Sequence, residues 1–442
     1  MKKKEIISKN LDEKYFHFVH PTGLNIYIYP KEDYNSTYVL FGTNFGSVNN
    51  KFKVDGKEII EVPDGIAHYL EHKLFECEDG DAFVKYAKTG ASANAYTSFE
   101  KTAYLFSCSQ NFEESLNILL DFVQTPYFTD ETVKKEQGII GQEIKILYVE
   151  NLSPLMKEIK MYEDSPDWNV LFNLLKSLYH NHPVKIDIAG TVESIAEITP
   201  KKLYDCYNAF YNLNNMALCI AGKVDVDKTL MLIDKKLKPS KTINVEKIFP
   251  DEPNSIVTNR VEREFDVLSP IFNMGYKQKV DKEWMDTKDI AYIDIILYAV
   301  ASKSSPMYQK LLNDGLINTS SFSYEHFEGP WFSSIIFSGE SRDPDLVSDI
   351  IRNELDKISK AGIDEVTFNR AKKAVYGANV ANFNSVSSIA NALLGLAFSN
   401  RELFNYVDHV ANANLQEVNE KLKGMFNKEL SALSIISPKK KN

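Results

Sequence analysis

Ile66-Ala67-His68-Tyr69-Leu70-Glu71-His72 opens a helical run that reaches about Glu76, and Ile290-Ala291-Tyr292-Ile293-Asp294-Ile295-Ile296 opens a second one in the later half of the chain. Their surroundings match. Before the first run lie two strand-like stretches, Gly23 to Tyr29 and Ser36 to Phe41; before the second lies Ile271 to Tyr276. After the first run come a helix at Asp81 to Lys88, a strand pair at Ser92 to Ser98 and Thr102 to Ser107, and helical patterns over 112–124 and 130–149. After the second come a helix at Pro306 to Asn313, a strand pair at Ser321 to Tyr324 and Phe332 to Ser338, and helices at Leu346 to Lys360 and Asp364 to Asn382. Both halves therefore read β, α, α, ββ, α, α, and an internal duplication is expected. Residues 200–212 read as a further helix and Met216 to Gly222 as a buried strand. The expected class is α+β, with two homologous αβ-roll domains, each a mainly antiparallel sheet packed on helices. Pro239, Pro250 and Pro253 among charged residues mark a linker over 237–258, between domains at 1–236 and 259–442.

The chain has 442 residues, 44% hydrophobic and 25% charged, with 26 Phe and 23 Tyr. That composition supports sizeable cores and excludes collagen-like and disordered chains. The balance of 51 basic against 61 acidic residues, net −10, offers no global basic field, so nucleic acid is not an expected partner. No apolar run of about 18 residues occurs, so no membrane span is expected. The basic start, Met1-Lys2-Lys3-Lys4, has no apolar core behind it, and Lys439-Lys440-Lys441 reads as a solvated end. Cys77, Cys108, Cys206 and Cys219 suit neither a disulfide framework nor a zinc knuckle. They read as reduced, mostly buried thiols of a cytoplasmic protein.

The chemistry is expected at His68-Tyr69-Leu70-Glu71-His72. Two histidines four apart lie about 40° from each other around a helix, close enough to grip one zinc ion. Glu71 stands beside the same face, where it can hold a water and take its proton, the H-x-x-E-H pattern. Chance gives about 0.02 such matches in a chain of this composition. A catalytic zinc needs a third protein ligand and an open position. Glu136 and Glu143 are seven apart on one helical face, and either reaches a metal while the other supports it. The flanking Ile139, Ile140 and Ile144 point to a partly buried helix, where unpaired carboxylates are costly.

These residues resemble the pitrilysin and insulin-degrading family of zinc metallopeptidases, and closely its short bacterial members related to mitochondrial processing peptidase. The family pattern is H-x-x-E-H followed by a helix with two glutamates seven apart, of which the second is the ligand. Glu143 stands 71 residues after His72 and matches it. The resemblance therefore implies one Zn2+ per chain on His68, His72 and Glu143, with Glu136 supporting and Glu71 as catalytic base. It covers nearly the whole chain, including Gly65-Ile66-Ala67, His182-Pro183-Val184 and Asp187-Ile188-Ala189-Gly190-Thr191. It also implies that the strand Gly90 to Ser98 is a template for an extended peptide substrate, through Ala93, Asn94, Ala95 and Tyr96. The zinc-bearing peptidase domain is then 1–236, and 259–442 is an inactive homologous domain. Laid on the first half, the second places Tyr292 on His68, Ile295 on Glu71, Ile296 on His72, Ala371 on Glu136 and Ala378 on Glu143, none of which binds zinc.

The family's second half carries an arginine and a tyrosine that polarise the scissile carbonyl. Here the arginine position reads Leu311-Leu312-Asn313 and the tyrosine position falls around Ile317-Asn318-Thr319, with Tyr324 out of register. Full-length family members join four such domains, and this chain has two. The resemblance thus implies a dimer closing a clamshell chamber, with a paralogous subunit supplying the Arg and Tyr donors. The expected activity is zinc-dependent endopeptidase action on extended peptides or unfolded segments. The alternative is a non-catalytic peptide-binding or scaffold subunit of a hetero-oligomeric complex.

Overall fold

Seven strands build the first sheet in a computed structural model that describes residues 2–144 and 165–440, with the side chains of 141–144 outside the described set. They are β1 (Lys2–Ser8), β2 (Glu13–Val19), β3 (Asn25–Pro30), β4 (Thr37–Thr43), β5 (Ser92–Thr97), β6 (Thr102–Cys108) and β7 (Met216–Gly222). Their order is β1-β2-β3-β7-β4-β6-β5, so β5 is an edge. Only β3 and β7 run parallel; the other pairs are antiparallel. One face is covered by α1 (Ile66–Leu74) against β5 and β6, with α2 (Ala82–Thr89) and α3 (Phe112–Val123) beside it. Two further helices of this half are α4 (Asp130–Ile144) and α6 (Pro200–Phe210), the latter packed on α1; α5 lies between them in the chain, at Pro166–Leu178.

The second sheet repeats this order with five strands. They are β8 (Arg260–Phe265), β9 (Ile271–Lys277), β10 (Ser323–Gly329), β11 (Phe332–Glu340) and β12 (Ser431–Pro438), ordered β8-β12-β9-β11-β10. Again one pair is parallel, β8 with β12, and the rest antiparallel. The helices of this half are α7 (Thr287–Ala301) against β10, α8 (Pro306–Asn313), α9 (Pro344–Ala361), α10 (Glu365–Asn382), α11 (Val386–Ser399), which does not lie on this sheet, and α12 (Leu415–Leu422), which packs on α7 as α6 packs on α1. Two sheets with one topology, each with a single parallel pair at the same place, are the duplication expected from the sequence. The class is α+β with antiparallel-rich sheets.

The compact units do not follow the contiguous division 1–236, 237–258 and 259–442. One unit holds Met1–Gln142, Asp187–Phe249 and Val380–Phe404; the other holds Glu143–Ile186, Pro250–Asn379 and Asn405–Asn442. The halves have traded a helix. α5, from the first half, lies on β12, β9 and β8 of the second sheet, and α11, from the second half, lies on β7, β4 and β3 of the first. The reason is steric as well as apolar. A Cβ on Gly42 of β4 would stand 2.6 Å from Leu394 of α11, and one on Gly275 of β9 would stand 2.8 Å from Leu178 of α5. A bare backbone in each central strand lets the traded helix close on it. The proline-marked stretch 237–258 is divided too, since Val245–Lys247 pairs with Lys51–Val54 in one unit and Pro250 onward belongs to the other.

The N-terminus forms a strand that the sequence reading did not assign. Lys2 to Ser8 pairs residue by residue with Glu13 to Val19, so the basic start is an edge strand; lysines suit such an edge because they oppose further pairing. No helix among the described residues is long and apolar enough to cross a membrane. All four cysteines are free, three of them buried.

In the second unit α7 is apolar nearly all round, with Tyr292, Ile295 and Ile296 in the core, and Ala371 of α10 is buried there as well. Asp294 sits in this helix as an acceptor for the Tyr406 hydroxyl. Burial, only partly offset by that bond, pushes its carboxyl up to about 6. A raised carboxyl is favoured neutral in the fold, so its contribution declines as pH rises from the unfolded value through about 6. Asp294→Asn is therefore expected to raise stability at pH 8 by about 1–2 kcal/mol and to change little at pH 4. Denaturant unfolding at the two pH values checks the sign.

Candidate metal centre

Helix α1 begins at Gly65, whose φ of 87° lies in the left-handed region. A Cβ there would fall 2.3 Å from the carbonyl oxygen of Ala189, and Ser194 Oγ donates to the Asp64 carbonyl at 2.8 Å. The segment 187–194 thus clamps the start of α1, and only glycine allows so close a backbone approach. This gives a physical reason for the two stretches, Gly65-Ile66-Ala67 and Asp187 to Thr191, that carried the resemblance.

From this fixed start, α1 presents His68, Glu71 and His72 along one side. The two imidazoles stand with ring centroids 4.6 Å apart at 65°. His68 is 7% exposed and Glu71 8% exposed. Burial, then the nearby His72, lowers His68 to about 3, so its imidazole is neutral and keeps a lone pair for a metal. Its Nδ1 is buried and has no hydrogen-bond partner among the described residues. Such an atom is costly unless something outside the chain's own polar groups engages it. His72 Nδ1 lies 3.2 Å from Glu136 Oε1. A proton on Nδ1 donated to that carboxylate leaves the other ring nitrogen as the lone-pair donor, the tautomer a metal ligand needs.

On α4 the buried positions are Val133, Glu136 and Ile140, while Ile139 is 41% exposed. The helix backbone continues to Ile144, so position 143 falls on the face of 136 and 140. The side chain of Glu143 lies outside the described residues. Among the described residues no three His, Cys, Asp or Glu side chains gather to hold an ion. The described donor set is the pair His68 and His72 with Glu136 behind it. An orphaned buried imidazole nitrogen and a carboxylate-fixed partner imidazole fit a zinc ion.

The four expected substrate positions all lie on β5, an edge strand among the described residues, but strand alternation divides them. Asn94 and Tyr96 share one face. Tyr96 donates to Asn391 Oδ1 of the traded helix α11 at 2.9 Å, and Asn94 Oδ1 accepts from the Ala95 amide at 2.8 Å. Ala93 and Ala95 share the other face with Thr97, whose hydroxyl donates to Glu71 Oε2 at 2.9 Å. Sequence reasoning missed Thr97. Its one signal was position, two residues past Ala95 on the face that meets α1. Behind Glu71, Tyr104 and Tyr211 share a hydroxyl contact of 2.8 Å, and burial first, with Glu71's charge adding, keeps both phenols neutral.

Residues 59–192 match the family model described as insulinase, peptidase family M16, and residues 197–375 match that of the peptidase M16 inactive domain. The uncharacterized zinc protease YmfH of Bacillus subtilis is 38% identical over 94% of each chain. The uncharacterized zinc protease YmxG of the same organism is 26% identical over 85% of this chain and 88% of its own. A crystal structure from Alicyclobacillus acidocaldarius, described as M16-like, superposes with a TM-score of 0.89 at 30% identity over 99% of both chains. Pitrilysin, at 15% identity and a TM-score of 0.73, shares the fold over 99% of this chain and 46% of its own. With a near-full-length relative at this identity and two M16 family models matching residues 59–192 and 197–375, the chain belongs to peptidase family M16, in its short bacterial branch.

Proposed function

We propose that this chain is a zinc-dependent endopeptidase acting on extended peptides or unfolded segments. The observation that carries the reading is the convergence on one side of α1 of a neutral buried His68, a His72 held by Glu136, and a buried carboxylate at Glu71. His68, His72 and Glu143 would hold one zinc, with Glu136 orienting His72. A bound zinc supplies a Lewis acid for the scissile carbonyl and makes a water acidic enough to lose a proton near neutral pH. Glu71 takes that proton and passes it to the leaving amine. Ala93, Asn94, Ala95 and Tyr96 lie on an edge strand whose free side pairs with an extended backbone. A peptide already in a fold's interior cannot offer that backbone, so unfolded segments are favoured.

The test is metal removal and return. The purified chain is expected to carry about one zinc per chain. A chelator should abolish cleavage of a quenched extended-peptide library, and added zinc should restore it. Absence of zinc in the purified chain, or cleavage indifferent to chelation, would sink the proposal.

A second reading is favoured by one observation. Leu311 is buried in the core and neither Leu312 nor Asn313 offers a cation, so this chain's own second half has no arginine at the position where the resemblance places one. The reading is a peptide-binding subunit that becomes an efficient enzyme only in a dimer with a paralogous chain supplying Arg and Tyr donors. Assaying the pure chain beside its co-purifying complex separates the two: activity confined to the complex supports the second reading.

A further inference from the structure

We infer that Thr97 is a positioning residue for Glu71, and that through it the strand receiving substrate fixes the orientation of the base. This rests on the proposed role of Glu71. Thr97 ends β5 and stands directly opposite Thr102 of β6. Its Oγ1 donates to Glu71 Oε2 at 2.9 Å and lies 3.3 Å from Thr102 Oγ1. The Thr102 hydroxyl is fully buried and donates to the Phe45 carbonyl at 2.9 Å. Each hydroxyl has a single proton. With Thr102's directed at Phe45, the Thr97 oxygen keeps its own proton for the carboxylate.

The mount is rigid on both sides. The turn joining β5 to β6 closes with a Ser98 amide bond to the Lys101 carbonyl at 2.8 Å. The loop after β4 then grips that turn through Ser47 N–H to the Ser98 carbonyl and Val48 N–H to the Phe99 carbonyl, both 3.0 Å. The hydroxyl is thus set by two elements that themselves cannot slide, and it meets a carboxylate buried on a helix whose start is clamped. A hydrogen bond to a charged group is among the stronger ones available, and a carboxylate held by it loses rotational freedom about its last bond. A base that need not search for its orientation is the advantage of such a contact. Peptide backbone added to the β5 edge would lie along the strand that ends in this hydroxyl.

The experiment compares Thr97→Val, Thr97→Ser and both in a Glu71→Gln background, all as full chains and zinc-loaded for the kinetics. Valine keeps the shape and removes the donor; serine keeps the donor. Thr97→Val is expected to lower kcat by about 10- to 100-fold with KM, zinc content and melting temperature close to wild type, and Thr97→Ser to recover most of kcat. In Glu71→Gln the valine change should add no further loss. A readout independent of turnover is the Glu71 carboxylate band in the infrared difference against Glu71→Gln, taken without metal: it should shift in Thr97→Val and not in Thr97→Ser. Wild-type kcat in Thr97→Val, zinc loss in that variant, an equally impaired Thr97→Ser, or an undiminished valine effect in the Glu71→Gln background would each overturn the inference. Full activity of Glu71→Gln itself is a different failure, that of the proposed base.

Discussion

Glu71→Gln is expected to cut peptide hydrolysis by about 10²- to 10⁴-fold while zinc remains bound. The substitution is nearly isosteric. An amide oxygen still accepts from Thr97, so the contact that holds residue 71 persists, while the ability to take a proton is lost. His68, His72 and Glu136 are untouched, so metal content should match wild type. The variant should also keep its affinity for extended peptides, because the edge of β5 does not change. Turnover, metal analysis and peptide binding measured on one preparation make the outcome decisive. Turnover near the wild-type level would place the proton acceptor elsewhere. Loss of zinc with turnover would make Glu71 a structural part of the metal site instead.

The parts of this site legible in sequence were those set by local spacing. His68 and His72 stand four positions apart and Glu136 and Glu143 seven, both helix periods, and both runs are helical. The alternation along Ser92 to Thr97 is likewise a strand period, and that strand is an edge. The repeated order of elements revealed the duplication for the same reason. What could not be read was which helix covers which sheet. Val386–Ser399 is apolar enough to lie on any sheet, and its register on β4 is set by Gly42, a residue more than 300 positions earlier. The expected boundaries followed chain order, whereas cores are assembled by shape. Thr97 escaped for a similar reason, since a threonine in a strand is unremarkable until the helix opposite it is placed.

The largest stability effect is expected at Glu252. Its Oε1 accepts the His180 amide at 2.9 Å, and its Oε2 accepts those of Asn181 and His182 at 2.7 and 2.8 Å. Lys277, 4% exposed, pairs with it and also donates to the carbonyls of Pro253 and Ser255 at 2.8 and 2.9 Å. Beside them the fully buried His182 bridges the Val184 amide and the Pro330 carbonyl, and burial lowers it to about 4. The neutral ring with Nε2–H donating to Pro330 is the tautomer that satisfies both contacts. The His182-Pro183-Val184 stretch is therefore scaffold, which explains its place in the resemblance without any part in the chemistry.

Burial pushes the Glu252 carboxyl up, but Lys277 and the three amides outweigh it and leave it below the ordinary carboxylate range. Burial draws the Lys277 ammonium down despite its partner, and buried pairs in general are often no net gain over apolar packing. Breaking it is another matter. Glu252→Gln leaves a buried ammonium unpaired and should cost about 3–5 kcal/mol. Glu252→Gln with Lys277→Met removes the stranded charge and should recover much of that. The pH sign follows from the lowered carboxyl. Its contribution is whole above the ordinary carboxylate range and fades as pH falls through its own lower value, so the gap between wild type and Glu252→Gln should narrow on acidification. Denaturant unfolding of the three chains from pH 7 downward reads all of this. A single variant as stable as wild type at pH 7, or a double variant weaker than the single, would show that the three amide bonds rather than the charge hold this corner.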